Sequence, residues 1–99
     1  MAGNNGLVDT VDRFLRYLEK EKGYSIRTVD AYGRDLREFG AFIETTLGEA
    51  TLETAMSRQV LRSFSYSLAR KQLKPRSMAR KVAALKSFAR FCHRRRILR

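Results

Sequence analysis

Residues 75–95 read PRSMARKVAALKSFARFCHRR, and this stretch decides the fold class. Met78, Val82, Leu85, Ala89 and Cys92 recur at spacings of three and four, the repeat of one helical face, with Phe88 at its border. At about 100° per residue, Arg76, Arg80, Lys86, Arg90 and Arg94 fall opposite that stripe, separated by the small residues Ala79, Ala83 and Ser87. Lys81 sits on the apolar border. Pro75 has the fixed φ that suits a first helical turn. The pattern predicts a helix from about Pro75 to Arg95 with a buried apolar side and a cationic side free of acids. Cys92, on the apolar side, reads as a core residue and not as a reactive thiol.

The rest of the chain repeats the helical period. A first helix is expected from about Leu7 to Lys22, with Leu7, Val8, Val11, Phe14, Leu15 and Leu18 on one face and Gly23 as its stop. A second runs from about Ile26 to Glu44 behind the N-cap Ser25, burying Val29, Tyr32, Leu36, Phe39 and Ile43. Gly33 and Gly40 lie beside that stripe, where each costs about 1 kcal/mol of helix propensity relative to Ala; close approach of a neighbouring helix is the expected return. Residues 46–54 form a connection. A third helix follows from about Arg58 to Lys71, capped by Ser57, with Val60, Leu61, Phe64 and Leu68 inward. Strand-like alternation is absent from the sequence, so the expectation is an all-α, compact four-helix domain.

Charge is distributed unevenly. The 99 residues carry 21 Lys and Arg against 10 Asp and Glu, a net charge of +11. Residues 1–50 hold 7 basic and 9 acidic side chains, whereas residues 51–99 hold 14 basic side chains and the single acid Glu53. Such a bias opposes folding unless a polyanion offsets it, which points to nucleic acid. A row of cations separated by small residues can lie against a phosphate backbone and gain from released counterions. On the second helix Arg27 and Arg34 are candidates of the same kind, with Thr28 at the helix start. There Asp30 and Glu38 share the arc with Arg34 and Arg37, so a salt-bridged surface and a phosphate-binding one are both open.

Other chemistries find little in the sequence. No Ser-His-Asp set, glycine-rich phosphate loop, paired histidines or C-x-x-C occurs. One cysteine allows no internal disulfide, and one histidine, His93, has no partners for a metal site. No cofactor is expected. No run reaches the roughly 18 apolar residues of a membrane span, and residues 1–6 lack the basic and apolar regions of a secretory signal. A cytoplasmic protein without membrane contact, nucleoid-associated when bound to DNA, is the expectation.

Two segments carry a family resemblance. Residues 24–39, YSIRTVDAYGRDLREF, resemble the second helix of the N-terminal core-binding domain of tyrosine recombinases, and residues 76–91, RSMARKVAALKSFARF, are similar to its fourth. The likeness is to the Xer recombinases and phage-type integrases and covers about residues 7–99. It implies a SAM-like bundle that grips one side of duplex DNA through its second and fourth helices. It further implies a C-terminal catalytic domain that closes on the other side, and recombinase protomers assembled as a tetramer on DNA. On this reading residues 1–6 are a disordered N-terminus, 7–95 the DNA-binding domain, and 96–99 the start of a linker.

Carried onto this chain, the resemblance points to Arg27, Thr28 and Arg34 in the second helix and to Arg76, Ser77, Arg80, Lys81 and Lys86 in the fourth. Arg90 and Arg94 join them from the helical wheel alone. Relatives commonly carry a basic residue where this chain has Gly33, so a DNA contact is expected to be lost there. The family's Arg-His-Arg set and tyrosine nucleophile have no counterpart in this sequence, since Tyr17, Tyr24, Tyr32 and Tyr66 all lie in the binding-domain part. The domain by itself is therefore expected not to cleave DNA. RNA binding, which calls for exposed aromatics, and protein interaction through Phe42 and Phe91 remain as alternatives.

Overall fold

The computed structural model describes residues 3–98, with side chains from Gly6 onward; Met1, Ala2 and Arg99 lie outside the described residues. Five helices follow one another: α1 (Gly3–Lys20), α2 (Ile26–Leu47), α3 (Leu52–Ala55), α4 (Arg58–Arg70) and α5 (Pro75–Arg94). The architecture is the expected all-α bundle with one addition. Within the connection at 46–54, Thr51 accepts a hydrogen bond from the Thr54 N–H and caps the single turn α3, which delivers the buried Ala55 to the core. A Thr-rich run without a hydrophobic period gave no sign of that turn.

The boundaries follow from capping chemistry. Ser25 and Ser57 accept hydrogen bonds from the N–H groups of Thr28 and Val60, as N-caps do. Gly23 ends α1 at φ 70°, and Gly48 ends α2 at φ 72°, conformations that glycine adopts without a Cβ penalty. After α5 the same left-handed geometry falls on Arg96, at φ 58°. The Ile97 N–H returns to the Cys92 carbonyl at 2.8 Å, and Leu98 is folded into the core.

Phe14, Phe39, Phe64 and Phe88 are the largest fully buried side chains. Phe14 of α1 meets Phe88 and Phe91 of α5 at centroid distances of 5.5 and 5.4 Å, while Phe39 and Phe42 of α2 flank Phe64 of α4 at 5.1 and 5.2 Å. Phe91 is buried and Phe42 half-buried on Phe64, so both widen the core. On α5 the buried face is rotated from the expected one. Ala84, Phe88, Phe91 and Cys92 are buried, whereas Met78, Val82, Leu85 and Ala89 are only half-buried. The large rings turn toward Phe14 and Tyr17 of α1, leaving Val82, Leu85 and Ala89 to line a shallow groove with Leu61 and Leu68 of α4. Val8 is 55% exposed although its spacing suits the core; it lies at the rim of an open groove that Leu7 and Val11 share with Leu36 and Gly40 of α2.

The two helix-interior glycines have different surroundings. A Cβ at Gly33 would stand 3.3 Å from Leu15 Cδ1 on α1, whereas one at Gly40 would find nothing nearer than Leu7 Cδ2 at 3.9 Å. Gly33 therefore sets the α1–α2 approach, as its sequence position suggested, and Gly40 has room to spare. Thermal and urea melts should show Gly40→Ala stabilising the domain by about 0.5–1 kcal/mol through helix propensity. Gly33→Ala should gain less or lose stability, since Leu15 must yield to the new methyl.

Candidate nucleic-acid interface

Docking α5 on α2 brings a cation-rich helix against the acids of the first half of the chain. Asp35 is 3% exposed, and it is the one buried acid among the described residues. Its Oδ2 accepts from Arg80 Nε at 2.8 Å, and its Oδ1 accepts from Arg80 Nη2 at 3.1 Å and from Lys81 Nζ at 3.0 Å. Lys81 also donates to Glu38, whose other oxygen accepts from Lys71 Nζ at 2.8 Å. Five side chains from α2, α5 and the end of α4 thus form one network.

This arrangement divides the expected DNA-binding residues. Arg80 keeps a side chain that is 40% exposed, with one edge of its guanidinium on Asp35. Lys81, 14% exposed, is held between two carboxylates and braces α5 against α2. Arg76, Lys86, Arg90 and Arg94 are exposed on α5 and have no ion-pair partner among the described residues, while Ser77 is half-buried in its first turn. On α2, Arg27 and Arg34 are exposed and likewise unpaired. The Thr28 hydroxyl accepts from Ser25 Oγ at 3.1 Å at the capped start of the helix.

Two local expectations are corrected. Glu38 is taken by Lys71 and Lys81, so Arg37 has no ion pair with it; the Arg37 guanidinium instead lies close to Gly33, its nitrogens 3.4 Å from where a Cβ would stand. Arg34 makes no ion pair with Asp30 either. Gly33 is buried against Leu15, so a side chain at that position would face α1 and not the exposed arc of α2. Its lack of a basic side chain therefore removes no cation from that arc.

A second cationic cluster escaped the sequence pattern. Arg13, Arg16 and Lys20 of α1 line a cleft of about 280 Å³ with Tyr17, Glu21, Phe91 and Arg95. The Arg95 guanidinium lies 5.4 Å from the Tyr17 ring centre and 5.1 Å from that of Phe91, and reaches Glu21 at 3.4 Å. Arg13, Arg16 and Lys20 share one face of α1 at spacings of three and four, and the packing of α5 adds Arg95 from the far end of the chain. Cys92 is fully buried, and burial pushes its thiol up to about 11, against a smaller opposing effect of Arg13. Among the described residues no group of His, Cys, Asp and Glu could hold a metal, and no helix is long and apolar enough to cross a membrane.

Burial opposes ionisation of Asp35, but the hydrogen bonds and charges of Arg80 and Lys81 outweigh it and hold the carboxyl below its ordinary range. Glu38 is lowered in the same way by Lys71 and Lys81. Both acids are more acidic folded than unfolded, so their contribution to stability is complete above the unfolded values, about pH 4–4.5. It is lost as pH falls through the lower folded values. Thermal melts from pH 6 to pH 2.5 should be flat at first and then fall. Asp35→Asn should cost about 2 kcal/mol at neutral pH and make the acid limb shallower. That cost is below the roughly 3–5 kcal/mol of a broken fully buried pair, because Arg80 retains water and Lys81 retains Glu38.

Comparison with known proteins agrees with this architecture. The family model for the phage integrase N-terminal SAM-like domain matches residues 11–96. Tyrosine recombinase XerC of Pelobacter propionicus is 34% identical over 84 residues, covering 85% of this chain and 28% of the relative. Tyrosine recombinase XerD of Listeria innocua is 38% identical over 81 residues, covering 81% and 27%. XerC of Methylobacterium nodulans is 33% identical over 96 residues, covering 95% and 30%. The chain thus spans 27–30% of the length of these curated relatives. No solved structure matches it. With the match running over nearly all of the bundle, the chain belongs to the phage integrase N-terminal SAM-like domain family.

Proposed function

We propose that this domain binds duplex DNA and positions a tyrosine recombinase on its recombination site, gripping one side of the duplex through α2 and α5. The observation that carries the reading is the outer face of α5, where Arg76, Lys86, Arg90 and Arg94 stay unpaired while the acids within reach are consumed by Arg80, Lys81 and Lys71. From Arg76 to Arg94 the helix runs about 27 Å at its usual rise. The domain measures 35 × 33 × 20 Å, so its broad face is close to one turn of B-DNA, about 34 Å. Arg27, Thr28 and Arg34 add to the contact from α2. Mobile cations on a flat face suit phosphate contacts, which fix register and orientation more than they read bases.

Strand cleavage and exchange belong, on this reading, to a C-terminal catalytic domain, and recombinase protomers assemble as a tetramer on the DNA. The relatives' designation as tyrosine recombinases supports this. Chromosome partition and mobile-element integration are both roles such a recombinase serves. The protein acts in the cytoplasm, associated with the nucleoid when bound. RNA binding has less support, since Tyr66, 63% exposed, is the one exposed aromatic side chain among those described and single-stranded recognition uses several.

Salt titrations of duplex binding test the assignment. Lys86→Ala and Arg90→Ala should each weaken affinity and reduce the slope of log K against log salt by about 0.9. As exposed positions, both should leave stability within about 0.5 kcal/mol. Slopes identical to wild type would refute the α5 interface. In competition, duplex DNA should displace labelled duplex at concentrations where single-stranded RNA of matched length does not; equal competition would favour the RNA alternative.

A further inference from the structure

The network at the α2–α5 contact does more than hold two helices together. We infer that Asp35 is a positioning residue for DNA binding: it fixes the Arg80 guanidinium with one edge inward and presents the other edge to a phosphate. The inference rests on the DNA-binding reading above and deepens it.

The geometry carries the inference. Arginine has five N–H donors in a rigid planar fork. Asp35 engages the Nε edge, one donor from Nε and one from Nη2, and leaves three N–H groups on a side chain that is 40% exposed. The carboxylate cannot follow Arg80 outward, because Lys81 holds Oδ1 from behind and is itself tied to Glu38, which Lys71 anchors in turn. One turn away on α5, Arg80 has Arg76 and Ser77 before it and the small residues Ala83 and Ala84 after it. A guanidinium held on one side and open on the other is ready to make a forked contact with a phosphate oxygen pair. Its rotamers are fixed before DNA arrives, so that ordering cost does not fall on binding.

The sign of one substitution separates positioning from simple electrostatics. Asp35 and Glu38 face Arg80, Lys81 and Lys71, a local net charge of +1. Asp35→Asn raises it to +2, and Coulomb attraction alone would then strengthen binding to a polyanion. Positioning requires the opposite, a loss of about three- to tenfold in duplex affinity, the range expected when one long side chain must be ordered on binding.

The experiment is a double-mutant cycle read by fluorescence anisotropy on a duplex of about 30 base pairs at two salt concentrations. The proteins are wild type, D35N, R80A and D35N/R80A. The inference expects D35N to weaken wild type and to leave R80A unchanged or slightly strengthened. D35N binding as well as or better than wild type would overturn it. Equal weakening in both backgrounds would also overturn it, because that is general damage to the fold. Should D35N fail to fold, R80K decides: a lysine can still pair with Asp35 but has no second edge to present. R80K falling to the level of R80A supports positioning, and R80K binding like wild type overturns it. Failure of wild type to bind duplex at all would instead refute the proposed function.

Discussion

The ion network around Asp35 is the constraint on which the remaining structure depends. Residues 70–98 contain eleven Lys and Arg and no acid, so every counter-charge for α5 comes from another element. Asp35 and Glu38 sit on the side of α2 that meets α5, and between them they hold Arg80, Lys81 and Lys71. Placing a carboxylate at 3% exposure is costly in isolation. Two cations on its two oxygens offset that cost, and the pairing fixes which stretch of α5 faces which stretch of α2.

The docking also decides which face of α5 is the core. Once Arg80 and Lys81 are turned toward α2, Ala84, Phe88 and Phe91 follow on the same side one and more turns along, and they meet Phe14 and Tyr17 of α1. Met78, Val82, Leu85 and Ala89 are only half-buried, the last three along the groove shared with α4. Buried rings and a buried ion pair lie along one side of a single helix, and Arg76, Lys86, Arg90 and Arg94 are left on the other.

The four long helices, their caps and the glycine stop at Gly23 were legible in the sequence because each rests on local chemistry. Ser25, Ser57, Pro75 and Gly23 act on backbone groups within a few residues of themselves. Most of the buried positions of α2 were legible for a similar reason, as Val29, Leu36, Phe39 and Ile43 form one stripe, while Tyr32 of that stripe is only half-buried and the buried Asp35 lay outside it. On α5 two overlapping stripes compete, one of Met, Val, Leu and Ala and one centred on Phe88. Periodicity cannot rank them, because the choice depends on which neighbours bring aromatic partners and acids. The cationic faces were legible as composition and not as pairing: Lys81 was read from an acid-free helix, and its acids come from 43 and 46 residues away. The cluster of Arg13, Arg16, Lys20 and Arg95 was hidden in part, since the first three share a face of α1 at helical spacing while Arg95 joins them from the other end of the chain.

A rule for reading basic helices follows from this. Absence of acids on a helix does not make all of its cations available to a partner, because the neighbouring helix can supply counter-charges at the docking edge. Cations at that edge become structural, those on the far face stay exposed and unpaired, and those at the boundary divide their donors between a carboxylate and solvent. In this domain Lys81, Arg90 and Arg80 occupy the three positions in turn. Nucleic-acid affinity built mainly on the far face is salt-sensitive and tolerant of single substitutions, as counterion release dictates. Directional recognition needs a cation with fewer degrees of freedom, and the boundary is where the fold itself supplies that restraint.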